Sequence, residues 1–220
     1  MSKSKLALFG GNKAVIKDFS IYNTMGPEEV EAATAVIKSG VLSGFLAGWS
    51  AKFKGGKNVQ LFEAEWANYF EIKHAISVNS WTSGLVAMIG ATGISPGDEV
   101  IVPPWTMCAT ATAVIIWGGI PIFADIDPET YNIEPNSIES KITNRTKAIL
   151  VVHIFGGCAD MDAIMKLAKK YNLKVIEDAA QAPGIKYKNN SIGGIGDIGG
   201  FSLNFHKHIH TGEGGMIVTN

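Results

Sequence analysis

Two short stretches hold side chains of the types that could do chemistry together. In VIEDAAQ an apolar run ends in Glu177 and Asp178, followed by small residues and Gln181. In FSLNFHKHIHTGEGG, Lys207 stands among polar and aromatic residues ahead of Gly212-Glu213-Gly214-Gly215. A lysine amine attacks carbonyl carbons only when it is desolvated or held near another cation. A carboxylate at the carboxyl end of a strand faces the ligand cleft of an open α/β sheet. Taken singly, an Asp at a strand end is more often a cap or turn residue, and a loop lysine is more often solvated. The pairing of the two is what points to a cleft built for carbonyl chemistry.

Two other patterns carry less. Gly194-Ile195-Gly196-Asp197-Ile198-Gly199 has the spacing of a dinucleotide fingerprint, but a strand follows it rather than a helix, so the anion site that gives the motif its meaning is missing. His206, His208 and His210 alternate as strand metal ligands do, yet no Asp or Cys at suitable spacing accompanies them, and no metal is expected.

The elements that must position Asp178 and Lys207 follow from periodicity. From about residue 74, β-rich runs at 74–79, 99–102, 120–124, 147–153 and 174–177 alternate with helical patterns near 82–92, 106–117, 135–142 and 160–171. This alternation is the signature of βαβ units on a largely parallel sheet. After Asp178, Gly and Asn accumulate, and two β-like runs, GFSLNF and GMIVTN, come without a helix between them. Near the start, Gly26-Pro27-Glu28-Glu29 opens a helix over 27–39 that Gly40 stops. A glycine-rich stretch with scattered aromatics reads as a loop, and a second helix falls at about 58–70. The expected fold is α/β, a mostly parallel mixed sheet sandwiched by helices, with an N-terminal arm over 1–25 and a large domain over 26–220.

Composition removes several classes. The 220 residues are 46% hydrophobic and 18% charged with a formal net charge of −1, a balance with no footprint for nucleic acid or an anionic membrane. The apolar run in MSKSKLALFGG is too short for a secretory signal, and nothing later is long enough to span a bilayer. Cys108 and Cys158 have no metal or disulfide spacing and read as free thiols in a reducing, cytoplasmic setting.

In order along the chain, VNSWTSGL, PGDEVIVPPWTMCATA, FADIDPETYNIEP, VHIFGGCADMDAI, VIEDAAQAPG and GDIGGFSLNFHKHIHTGEGG resemble the DegT/DnrJ/EryC1/StrS family over nearly the whole sequence. The resemblance implies the large domain of a fold-type-I, pyridoxal-phosphate-dependent aminotransferase. Such an enzyme passes an amino group from glutamate or glutamine to a nucleotide-linked keto sugar or a keto cyclitol. Lys207 then matches the lysine of the internal aldimine and the general base. Asp178 matches the carboxylate that keeps the pyridine nitrogen protonated, and Gln181 the partner of the ring hydroxyl. Thr82 and Ser83, at a helix start, match the phosphate site, and Ser202 matches a second phosphate ligand. The segment around Leu42, Ser43 and Gly44 resembles the loop near the acceptor, and His206 is a further substrate-side candidate. A homodimer with the site between subunits is implied too.

The sequence departs from the family pattern in three places. Trp81 stands where relatives usually have Gly, either crowding the cofactor or turned into packing. Met107 stands where an aromatic usually stacks on the ring, with Trp105 nearby. Relatives also continue past GGMIVTN, so the large domain reads as incomplete and a small C-terminal domain as absent. The alternatives are a dehydratase of the same family, whose members carry His in place of the lysine, and a non-catalytic or truncated protein of the same fold.

Overall fold

The computed structural model describes residues 5–18 and 23–220, without the side chains of 51 and 52. Residues 1–4 and 19–22 of the expected arm lie outside the described residues. The chain divides into two compact units, Met1–Phe53 and Lys54–Asn220.

The first unit holds a 3-10 turn at Ala7–Phe9 and helix α1, Pro27–Ser39. Pro27 occupies the first turn, where its missing N–H costs nothing, and Glu29 accepts the N–H of Gly26 at 2.6 Å. Gly40, at φ +68°, ends the helix in the left-handed region.

The second unit opens with α2, Lys57–Tyr69, and is built on seven strands: β1 (His74–Val78), β2 (Glu99–Val102), β3 (Ile120–Phe123), β4 (Thr146–Val152), β5 (Lys174–Asp178), β8 (Ile198–Ser202) and β9 (Gly215–Thr219). A two-stranded ribbon, β6 (Lys186–Tyr187) with β7 (Asn190–Ser191), lies outside this sheet. The strand order is β1-β9-β8-β5-β4-β2-β3. Only β9 runs against its neighbours; β8, β5, β4, β2 and β3 pair in parallel. The central strands β4 and β5 are buried on both faces: β4 carries the apolar run Ala148–Val152, whereas β5 buries Val175 and Ile176 and then the acids Glu177 and Asp178.

Helices α3 (Trp81–Ala91) and α4 (Ala109–Ile116) cover one face, and α5 (Pro135–Lys141) and α6 (Met161–Tyr171) the other. Helix α6 shows the local logic: Asp160 caps the N–H of Ala163 at 3.2 Å, Met161, Ile164 and Ala168 are buried at helical spacing, and Asn172 stops it at φ +54°. The ribbon is the element that the sequence reading left out. Helix α4 also begins later than expected, because Thr106 and Met107 belong to the irregular approach from β2. Cys108 and Cys158 are free thiols. Among the described residues no helix is long and apolar enough to cross a membrane.

Candidate active site

Alternation along β5 sends Ile176 and Asp178 to the face covered by α3, and Val175 and Glu177 to the other. On the α3 side, a cavity of about 140 Å³ opens where the carboxyl ends of β4, β5 and β8 meet the N-terminus of α3. This is where an open α/β sheet places its ligands. Asp178, Gln181, Ser202 and Lys207 line it, together with Thr82, Met107 and His206. Most of the residues singled out in the sequence thus converge on one hollow.

Asp178 is buried, and one of its oxygens is already occupied. Oδ1 accepts the indole N–H of Trp81 at 2.7 Å and the backbone N–H of Ala180 at 3.0 Å. Oδ2 has no hydrogen bond among the described residues, and no lysine, arginine or histidine forms an ion pair with Asp178 there. Burial pushes the Asp178 carboxyl above its ordinary pKa, with the N–H groups of Ala180 and Trp81 and the charge of Lys207 pulling part of the way back. A buried carboxylate with a free oxygen and no paired cation is a fitting seat for a protonated ring nitrogen.

Gln181 is oriented by a neighbour. Its Oε1 accepts the N–H of Phe155 at 2.6 Å, so the amide nitrogen is free to donate, as contact with a ring oxygen requires. Phe155 makes this bond from φ +54°, a conformation that is strained for a bulky residue.

The anion side of the cavity is built from two elements. Ser80 caps α3, accepting the N–H of Ser83 at 3.1 Å and sharing a 3.0 Å hydroxyl contact with it. The N–H groups of Trp81 and Thr82 have no intrahelical acceptor and present the positive end of the helix. Ser83, expected beside Thr82 at the phosphate, is outside the cavity lining because its N–H and hydroxyl both turn to Ser80. From across the hollow, the Ser202 hydroxyl accepts the N–H of Asn204 at 3.3 Å and keeps its own proton to donate.

Lys207 is half-buried in a turn closed by its N–H on the Asn204 carbonyl at 2.9 Å. The Asn204 amide donates to Glu213 at 2.7 Å, clasping the GEGG turn against the lysine loop. Asn204 and Glu213 both line the cavity, as do Thr106 and Thr110, whose hydroxyls are 3.1 Å apart. The sequence reading assigned none of these four a role; Asn204 and Glu213 bracket Lys207 in sequence, which was their one available signal. Met107 is 67% exposed at the rim, where a thioether can lie on a ring face, whereas Trp105 leans toward Tyr131 with ring centroids 6.2 Å apart. Ser43 and Gly44 belong to the first unit, where the Ser43 hydroxyl accepts the N–H of Phe45 at 3.3 Å.

A wider groove of about 930 Å³ runs past Asp127, Asp160, Asp162, Tyr187 and Lys188. Several of its polar groups are already paired: Tyr187 with Asp160, Lys188 with Asp162, and Asp127 with the N–H of Thr130. None of its carboxylates is buried as Asp178 is.

Residues 25–220 match the model of the DegT/DnrJ/EryC1/StrS aminotransferase family. The chain belongs to that family. It is 44% identical over 196 residues to the spore coat polysaccharide biosynthesis protein SpsC of Bacillus subtilis, covering 89% of this chain and 48% of that protein. It is 47% identical over 165 residues to the GDP-perosamine synthase of Caulobacter vibrioides, covering 75% and 44%. Among solved structures, an aminotransferase from Psychrobacter cryohalolentis superposes with a TM-score of 0.84 at 40% identity, covering 92% and 49%. The E. coli GDP-4-keto-6-deoxy-D-mannose-3-dehydratase with bound hydrated PLP superposes with a TM-score of 0.81 at 30% identity, covering 90% and 50%. The chain therefore spans about half the length of the relatives it matches. The DegT/DnrJ/EryC1/StrS family is pyridoxal-phosphate-dependent, and the mixed sheet with its flanking helices is the fold-type-I architecture of these neighbours.

Proposed function

We propose that this chain carries the cofactor-binding half of a pyridoxal-phosphate-dependent aminotransferase. Its reaction would move an amino group from glutamate or glutamine to a nucleotide-linked keto sugar or a keto cyclitol. The observation that carries this reading is the convergence of Lys207, Asp178 and Gln181 on one cavity whose buried carboxylate has an unused oxygen.

Pyridoxal phosphate supplies an electron sink for the carbon that gives up or gains its proton. The protein's own residues do the rest. The free Oδ2 of Asp178 would keep the ring nitrogen protonated, and the Gln181 amide would donate to the ring oxygen. Thr82, the first N–H groups of α3 and the Ser202 hydroxyl hold the phosphate. Lys207 Nζ would hold the cofactor and would serve as the base that moves the proton at the donor's α carbon. His206 at the cavity edge and the Ser43–Gly44 segment serve the acceptor. A homodimer in the cytoplasm completes the reading.

The test is product analysis with the full-length protein, pyridoxal phosphate, glutamate or glutamine, and a panel of keto sugars. An amino sugar formed with consumption of the amino acid supports transfer. A deoxy sugar without net amination would instead make the protein a dehydratase, and cofactor binding with no half-reaction would make it non-catalytic.

A further inference from the structure

Glycines stand around Trp81 where a side chain would collide with it. A Cβ on Gly200 would fall 2.6 Å from the indole Cζ3, and one on Gly84 would fall 2.9 Å from Cε3. A Cβ on Gly215 would approach the Trp81 backbone at 3.0 Å. Trp81 is 7% exposed in this slot, so its single side-chain donor, Nε1–H, must find a partner inside the protein. That partner is Oδ1 of Asp178, at 2.7 Å. With Ala180 donating to the same oxygen, the carboxylate is fixed about its terminal bond and the other oxygen is left for the cavity.

We propose that Trp81 is a positioning residue: its indole N–H locks the Asp178 carboxylate so that Oδ2, and not Oδ1, meets the cofactor's ring nitrogen. This rests on the functional reading above. Without the indole bond, only Ala180 restrains the carboxylate, and the group is free to rotate out of line. Trp81 lines the cavity and its backbone N–H faces the phosphate side, but the indole acts on the cofactor through Asp178.

The experiment is a double-mutant cycle read as the dissociation constant for pyridoxal 5'-phosphate, by fluorescence titration of the full-length protein. Trp81→Phe keeps a ring in the slot and deletes the donor. It is expected to weaken binding about tenfold in the native background, equivalent to about 1.4 kcal/mol. In an Asp178→Ala background, where there is no carboxylate to orient, it is expected to change binding less than twofold. Gly84→Ala, placed outside the cavity lining on the helix, nudges the indole and is expected to weaken binding about threefold, again only when Asp178 is present. This second variant carries the test if Trp81→Phe does not fold. An equal loss in both backgrounds, or none in either, overturns the positioning role. Failure of the unsubstituted protein to bind pyridoxal phosphate overturns the functional reading, and this inference with it.

Discussion

Glu177 and Asp178 are adjacent, acidic and buried, yet they do opposite things because a strand turns them to opposite faces. Glu177 is saturated. It accepts the N–H groups of Gly193, Ile195 and Gly196 at 2.6–2.9 Å and contacts His153 Nε2 at 3.0 Å. Since His153 Nδ1 accepts the N–H of Ala159, Nε2 carries the proton that meets Glu177. Asp178, by contrast, uses one oxygen and leaves the other to a cavity. A buried carboxylate whose bonds are complete holds the fold together; one with an unused acceptor and no cation is kept for a ligand.

The same contrast explains the glycine-rich stretch at 194–199. Its spacing resembles a phosphate-binding fingerprint, but the N–H groups of Ile195 and Gly196 close on the internal Glu177 carboxylate. The anion it binds is part of the protein.

The largest expected effect comes from emptying that nest. Glu177→Ala strands the buried N–H of Gly193, the part-buried N–H groups of Ile195 and Gly196, and the His153 proton, and should lower the unfolding free energy by about 3–5 kcal/mol in urea titrations. A loss below about 1 kcal/mol would erase the distinction between the two carboxylates.

Asp178→Asn should do the reverse. The amide oxygen still serves Trp81 and Ala180 while the desolvated charge is gone, so the cofactor-free protein should gain roughly 1 kcal/mol as amine transfer is lost. The sign follows from the raised pKa of Asp178. The folded state holds the proton more tightly than the unfolded chain, so the wild-type carboxyl's contribution is fully present below its unfolded value, near 3.9, and is lost as pH rises through its folded value. The gain on substitution should therefore be small in acid and grow toward neutral pH in thermal melts.

The smallest effects separate the two helix-start hydroxyls. Thr82→Val should weaken pyridoxal phosphate binding several-fold, worth about 1 kcal/mol, whereas Ser83→Ala should change it less than twofold. Equal losses would return Ser83 to the phosphate site.

Much of this organisation was legible in the residues. Strands such as 99–102 and the capped helix over Met161–Tyr171 follow from period and punctuation, and the order of motifs placed Lys207 and Asp178 at one cleft. What was not legible depends on direction. Sequence cannot show which way the Trp81 indole turns, that the Ser83 N–H closes on Ser80, or that Oε1 of Gln181 is taken by Phe155. The ribbon at Lys186–Ser191 was missed because its strands are two residues each and its turn rests on Lys188 and Asn189 at positive φ. The late start of α4 was hidden because TMCATATAV has no break between approach and helix.

The most direct measurement is borohydride reduction of the full-length protein incubated with pyridoxal phosphate, followed by peptide mapping. The expected result is a pyridoxyl group fixed on Lys207 in wild type and no stoichiometric label in Lys207→Ala. Equal labelling of that variant at a different lysine would contradict the assignment of Lys207 as the residue that holds the cofactor.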